Sequence, residues 1–136
     1  GDVVDTMGGI FFHGVAVKPG KPTLFGRVED TLVLGMPGYP TSCLSNGYMI
    51  LLPILRRMAH LPPVVERRVS ALLERRLTST IGRHQFYTVR LVEGKAHPAF
   101  KESGSITSMS DADGYIEIPA HVDLLEKGEE VEVHLL

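Results

Sequence analysis

The sequence predicts an α/β layer up to a boundary at Pro62-Pro63, followed by a small β-barrel or sandwich. Three observations point that way. Leu32-Val33-Leu34 is a continuously apolar strand of the kind expected beneath helices on both faces, and it runs through a Gly-Pro turn into a helix. Pro62-Pro63 then ends that helix, because a residue preceding proline is pushed out of the α region, and the pattern changes character beyond it. Short strands follow at near-regular spacing with Gly and Asp turns, which suggests a barrel or sandwich.

Taken in order, residues 7–9 are permissive turn material. Residues 11–17 form an apolar run with β-branched Val15 and Val17, a strand that should end at Pro19. Residues 23–25 and 31–34 make a hairpin around the polar turn at residues 26–30. A helix should begin at Thr41 or Ser42, whose hydroxyl can cap it, and bury a face marked by Leu44, Leu51, Leu55 and Met58. Arg56 and Arg57 fall in its last turn, where the helix dipole favours positive charge. Pro53 lies inside the run and removes the hydrogen bond to the Met49 carbonyl, so a kink or a locally wet carbonyl is expected there. Residues 64–77 mix dense charge with aliphatic residues, and periodicity leaves helix and strand both open. Residues 86–92 alternate, Glu93-Gly94-Lys95 is a hairpin turn, residues 115–118 are a strand, and Val131, Val133 and Leu135 alternate inward.

Composition narrows the function classes. Fourteen Lys and Arg stand against 16 Asp and Glu with no long basic run, which argues against nucleic acid and membrane surfaces as partners. The longest apolar stretch, residues 49–55, is broken by Pro53 and is too short to span a bilayer. A single cysteine, Cys43, supports no internal disulfide and suits a reducing, cytoplasmic setting; it reads as a small helix residue and not a reactive thiol. The chain opens Gly1-Asp2-Val3-Val4-Asp5, with no Met, basic n-region or apolar h-region, from which a piece of a longer protein or a processed chain, without a signal peptide, is expected.

The chemistry concentrates in residues 18–42. Lys18-Pro19-Gly20-Lys21-Pro22 places two cations three residues apart in a loop stiffened by two prolines and freed by Gly20. Gly35-Met36-Pro37-Gly38-Tyr39-Pro40-Thr41-Ser42 is a strand-to-helix turn in which Gly38 allows close backbone approach to a ligand, with N–H groups at the helix start facing the same anion. The combination is an anion site in outline. It is not a Walker loop, since Gly-Lys-Ser/Thr is absent.

Other constellations carry less. Ser103-Gly104-Ser105 with Thr107 and Ser108 offers hydroxyls and a hinge, equally readable as turn chemistry or ligand contact. Asp111-Ala112-Asp113-Gly114 opens like a calcium loop, but Val122 stands where the bidentate Glu belongs, so it reads as a tight turn into the next strand. Six histidines show no zinc spacing, and no Gly-x-Ser-x-Gly elbow supports a serine hydrolase.

Lys-Pro-Gly-Lys-Pro followed by Gly-Met-Pro-Gly-Tyr-Pro-Thr-Ser closely resembles the C-terminal part of the molybdopterin molybdenumtransferase family, the MoeA proteins and the related domain of gephyrin. Ser103-Gly104-Ser105, residues 112–116 and residues 127–131 are similar to its terminal β-domain, so the resemblance covers essentially the whole chain. It implies that residues 1–62 are the C-terminal half of a molybdopterin-binding, MogA-like α/β domain. Residues 63–136 are then the MoeA C-terminal β-barrel-like domain.

The implied function is molybdenum cofactor biosynthesis: insertion of molybdate or tungstate into molybdopterin, assisted by Mg2+, with adenylylated molybdopterin as substrate in the better-studied members. The implied substrate-binding residues are Lys18, Gly20, Lys21, Gly35, Pro37, Gly38, Ser42 and Ser105. No catalytic or metal-ligating residue is assigned, because the family's acidic residues lie upstream of this stretch. The fragment is therefore expected to bind without completing catalysis, and the full-length protein to be a homodimer. Tyr39 stands where many members have Asn. A non-catalytic scaffold or dimerisation module of the same fold is the alternative, against which the retained lysine pair argues.

Overall fold

The computed structural model describes residues 2–99 and 110–136. Helix α1 (Asp2–Met7) runs directly into strand β1 (Gly8–His13), so residues 7–9 are a helix end and a strand start and not the expected turn. The expected strand over residues 11–17 is split. Gly14 adopts φ +101°, its N–H bonds to the Thr23 carbonyl, and only Val17–Lys18 resumes as β2. The hairpin forms as β3 (Leu24–Val28) and β4 (Thr31–Gly35), with its turn tightened to Glu29 and Asp30 and Glu29 at φ 52°.

Strands β1, β3 and β4 make a three-stranded antiparallel sheet with β4 at its edge. The layer expected beneath helices on both faces is not formed by the described residues, and Leu32 is 48% exposed. Phe25 holds the sheet's aromatic contacts, with its ring 5.5 Å from Phe11 and 5.7 Å from Phe12.

Helix α2 (Pro40–Asn46) passes through a π-helical segment (Gly47–Leu51) into α3 (Leu52–Met58). The π segment accounts for Pro53. The Leu52 N–H bonds back to the Gly47 carbonyl, five residues earlier, so the helix widens immediately before the residue that has no N–H to give. A π-helical turn thus takes the place of the expected kink. The helix starts at Pro40 with Tyr39 as N-cap, earlier than Thr41 or Ser42, and the Tyr39 side chain makes no capping bond. Its buried face is also reversed from expectation: Thr41, Ser42, Ser45 and Asn46 are buried, whereas Leu44, Leu55 and Met58 are 46%, 51% and 60% exposed. The polar side of α2 packs on the loop before β3. The aliphatic side of α3 instead lines an open groove with Phe25, Leu32 and Leu34.

After Met58 the chain turns at His60, with φ 53°, and Arg56 donates to the Pro62 carbonyl at 2.7 Å and 3.1 Å. The open question over residues 64–77 resolves as strand: β5 (Arg68–Leu73) and β6 (Leu77–Thr78). They are followed by β7 (His84–Val92), β8 (Lys95–Pro98), β9 (Gly114–Ile118), β10 (Leu124–Leu125) and β11 (Glu130–Leu135). Strands pair in the order β7-β8-β5-β11-β9, and β9 pairs back onto β7 through Gln85↔Ile118 to Val89↔Gly114. The sheet is therefore a closed five-stranded barrel, which leaves no open edge among these strands. Its interior is filled by Leu73, Tyr87, Val89, Ala96, Ile116, Ile118, Val131 and Val133. The β7–β8 turn is the expected one, with Glu93 and Gly94 both at positive φ between Val92 and Lys95.

Strand β7 does not alternate throughout: Gln85 to Val89 are all buried. One face fills the barrel. On the other, Phe86 stacks on Tyr115 at 3.9 Å between centroids, and Tyr115 stacks on His134 at 4.8 Å. Arg68 flanks this stack, holding Glu66 at 2.6 Å and Glu132 at 2.7 Å. Most of the regular structure is strand. Among the described residues no helix is long and apolar enough to cross a membrane.

Candidate anion-binding site

The two motifs of residues 18–42 leave one rung of the β3–β4 hairpin. Leu24, the first residue of β3, pairs with Gly35, the last residue of β4. The lysine loop ends two residues before the first, and the Gly-Pro turn starts at the second. Chain connectivity thus sets both segments at the same end of the sheet. A Cβ on Gly35 would come 3.2 Å from Leu24 Cβ, so that rung is closely packed.

The loop is held from three directions. Backbone bonds close its base: Gly14 N–H to the Thr23 carbonyl at 2.7 Å, and Val15 and Thr23 N–H both to the Lys21 carbonyl at 2.9 Å. On the helix side, the Asn46 side-chain amide donates to the Gly20 carbonyl at 3.0 Å and to the Thr23 hydroxyl, which itself donates to the Gly20 carbonyl at 2.8 Å. On the barrel side, β2 pairs in parallel with β7 through Val17↔His84 and Lys18↔Gln85, and Lys18 Nζ donates to Thr80 Oγ1 at 3.0 Å. The Lys18–Pro19 peptide is cis.

Fixing the backbone this way sets the side chains apart by burial. Pro19 and Gly20 are buried, Lys18 is half-buried, and Lys21 is exposed. One ammonium therefore sits at the junction with the barrel and the other projects to solvent. In the turn, Pro37 is buried and Gly38 is exposed; among the described residues, its chain neighbours aside, no atom lies within 4 Å of the Cβ it lacks, so their packing makes no demand for glycine there. Ser42 is buried in the first turn of α2. Pro40 occupies N1, so the helix start offers one N–H fewer than the sequence suggested. Ser105 lies outside the described residues.

Asn46, Thr23 and Thr80 were not singled out by sequence reasoning. Asn46 left a trace: residues 41, 42, 45 and 46 are all polar at helical spacing, the mark of a helix side packed on backbone polar groups and not on a greasy core. Thr80 lies in a different part of the chain from Lys18 and left none. Among the described residues no cluster of three or more His, Cys, Asp or Glu side chains could hold a metal ion, so Mg2+ finds no ligand set here. The arrangement can bind and orient an oxyanion: two ammonium donors on a clamped loop, beside an open glycine turn.

Residues 70–136 match the family described as the MoeA C-terminal region (domain IV). Over 136 residues the chain is 35% identical to a molybdopterin biosynthesis protein of Methanocaldococcus jannaschii, covering 99% of this chain and 32% of that protein. It is 32% identical over 131 residues to molybdopterin molybdenumtransferase 2 of Mycobacterium tuberculosis, covering 92% of this chain and 32% of that protein. Among solved structures, the molybdopterin biosynthesis MoeA protein from Pyrococcus horikosii superposes with a TM-score of 0.83 at 42% identity, covering 98% of this chain and 34% of that one. The chain spans about a third of the length of the relatives it matches. Its closed barrel, its motifs and these matches agree: the chain belongs to the MoeA family of molybdopterin molybdenumtransferases, as the C-terminal part, with residues 70–136 its C-terminal region.

Proposed function

We propose that this chain supplies the anion-binding part of an enzyme that inserts molybdate or tungstate into molybdopterin during molybdenum cofactor biosynthesis. The observation that carries this reading is the shared rung Leu24↔Gly35, from which the lysine loop and the Gly-Pro turn both leave. Molybdopterin phosphate and molybdate are both anions, as is the adenylylated pterin. Bringing such groups together demands fixed positive charge whose orientation is set before they arrive.

Lys18 and Lys21 bind the anionic substrate. Gly20 and Gly35 shape the two backbones, and Pro37, Gly38 and Ser42 form the phosphate-side turn, with Gly38 open to close approach. Ser105, outside the described residues, is a further substrate-binding residue of this reading. Residues 1–62 are the C-terminal half of a MogA-like molybdopterin-binding domain, and residues 63–136 are the barrel domain. Mg2+ would supply charge neutralisation in such a reaction, but no ligand set for it lies among the described residues. This chain therefore binds and positions, is inactive alone, and works in a cytoplasmic homodimer of the complete protein.

A titration of molybdopterin into the complete gene product by calorimetry separates this from a non-catalytic scaffold. The enzyme reading predicts saturable binding that weakens as salt rises. A folded protein that takes up no molybdopterin favours the scaffold.

A further inference from the structure

We propose that Asn46 is a positioning residue of the anion site, clamping the lysine loop to α2 so that Lys18 and Lys21 are presented in a fixed geometry. The inference rests on the reading of that loop as the substrate-anion site.

Asn46 is fully buried, in the last turn of α2, and its side-chain amide faces the loop and not solvent. Its NH2 group reaches two acceptors of the loop, the Gly20 carbonyl at 3.0 Å and the Thr23 hydroxyl. Thr23, also fully buried, donates its hydroxyl hydrogen bond to the same Gly20 carbonyl at 2.8 Å. Three groups thus close a small buried network at the centre of Lys18-Pro19-Gly20-Lys21-Pro22.

Gly20 makes the network sterically possible. It sits at φ +115°, and a Cβ there would lie 2.4 Å from Asn46 Oδ1 and 2.5 Å from Nδ2. The amide is packed directly against the glycine backbone between the two lysines. Among the described residues Asn46 Oδ1 itself accepts no hydrogen bond. A buried amide with one unsatisfied end is costly, and its NH2 end is the part that holds the loop. A shorter or apolar side chain would avoid that cost and lose the hold on Gly20.

The clamp acts through the lysines and not on substrate. Loss of it frees the loop, spreads the two ammonium groups over many positions, and raises the entropic cost of gathering them round an anion. The effect belongs in affinity, leaving turnover at saturation nearly unchanged.

The test is Asn46→Leu, which keeps the branching at Cγ while removing the amide's donor and acceptor, made in the complete gene product. Thr23→Val, an isosteric loss of the same network, is the second variant should Asn46→Leu not fold. The expected result is amide exchange across residues 14–24 faster by about tenfold or more. Molybdopterin affinity and KM should weaken by about tenfold, with kcat within about twofold. In a Lys18→Ala/Lys21→Ala background the substitution should weaken binding no further.

Wild-type exchange and affinity in both variants overturns the clamp, as does a full extra loss in the background without lysines or a fall in kcat at unchanged KM. Unchanged binding in Asn46→Leu beside weakened binding in the lysine variant overturns the clamp alone. A lysine variant that binds molybdopterin like the wild type overturns the loop's assignment and, with it, the clamp's part in binding.

Discussion

Asn46 and Gly20, 26 residues apart, are joined by a hydrogen bond of 3.0 Å from side-chain amide to backbone carbonyl, and no Cβ fits between them. The helix that follows the Gly-Pro turn is in this way tied to the loop that precedes β3. The loop's shape is therefore a tertiary property, set by α2 as much as by its own prolines.

Gly20→Ala should destabilise the protein by about 2 kcal/mol or more, since the φ of +115° is strained for any L side chain and the Asn46 amide must move. Denaturant unfolding measures this. A midpoint equal to that of the wild type would show that the loop relaxes freely and is not held by Asn46.

Tyr39→Asn should stabilise the helix start. Tyr39 occupies the N-cap with extended φ −76° and ψ 130° but makes no side-chain cap, whereas Asn there can accept from the N–H of the second or third helical residue. The expected gain is about 1 kcal/mol in thermal or denaturant unfolding. No gain would mean that Pro40 at N1 already fixes the helix start.

Gly114→Ala should open the β9–β11 seam of the barrel. A Cβ there would come 2.4 Å from the His134 carbonyl oxygen and 2.8 Å from Val133 Cγ1, in a seam whose pairs are His134↔Tyr115 and Leu135↔Gly114. Overpacking against backbone costs about 1–3 kcal/mol, and the melting temperature should fall accordingly. The ring closes with strands from Arg68 to Leu135 alone, so residues 63–136 produced by themselves should still unfold cooperatively. A non-cooperative transition would show that the pairing of β2 with β7 is needed for folding.

The barrel's outer stack should give stability two pH limbs. Burial, then the charge of Glu117, raises the Tyr115 hydroxyl above its ordinary value of 10.0, and burial does the same to Tyr87. A raised folded value means stability fully present below pH 10 and lost as pH climbs through the folded value. The hydrogen bond from Arg68 lowers the Glu66 carboxyl below its ordinary 4.5, so its contribution is present above that value and lost as pH falls through the folded one. Denaturant midpoints of Tyr115→Phe should be flatter on the alkaline limb, and those of Glu66→Gln flatter on the acid limb. Unchanged limbs in both variants would contradict the assignment.

The barrel was legible because its signals are local. Glu93-Gly94 needs only its own positive φ values, and Val131 and Val133 alternate in one strand against the interior. Of the candidate anion site, Lys18, Lys21 and Gly38 stand out in the sequence by residue type, whereas Asn46 and Thr80 reach the loop from elsewhere and are found only when α2 and the segment between β6 and β7 are folded onto it. The α3 face misled because Leu44, Leu55 and Met58 have the spacing of a buried stripe but lie outside the core of the described residues. A hydrophobic period reports that a face is to be covered and not by which segment. The proline at position 53 was read correctly as a disturbance, but a π turn absorbs it because widening the helix relieves the same lost hydrogen bond that a kink would.

The account turns on Lys18 and Lys21. Its most direct test is molybdenum insertion into molybdopterin by the complete gene product carrying Lys18→Ala or Lys21→Ala. Each substitution should weaken kcat/KM by about tenfold or more, the scale of one charged hydrogen bond, with an unchanged melting temperature. Wild-type insertion rates in both variants would contradict the assignment of the loop as the substrate-anion site.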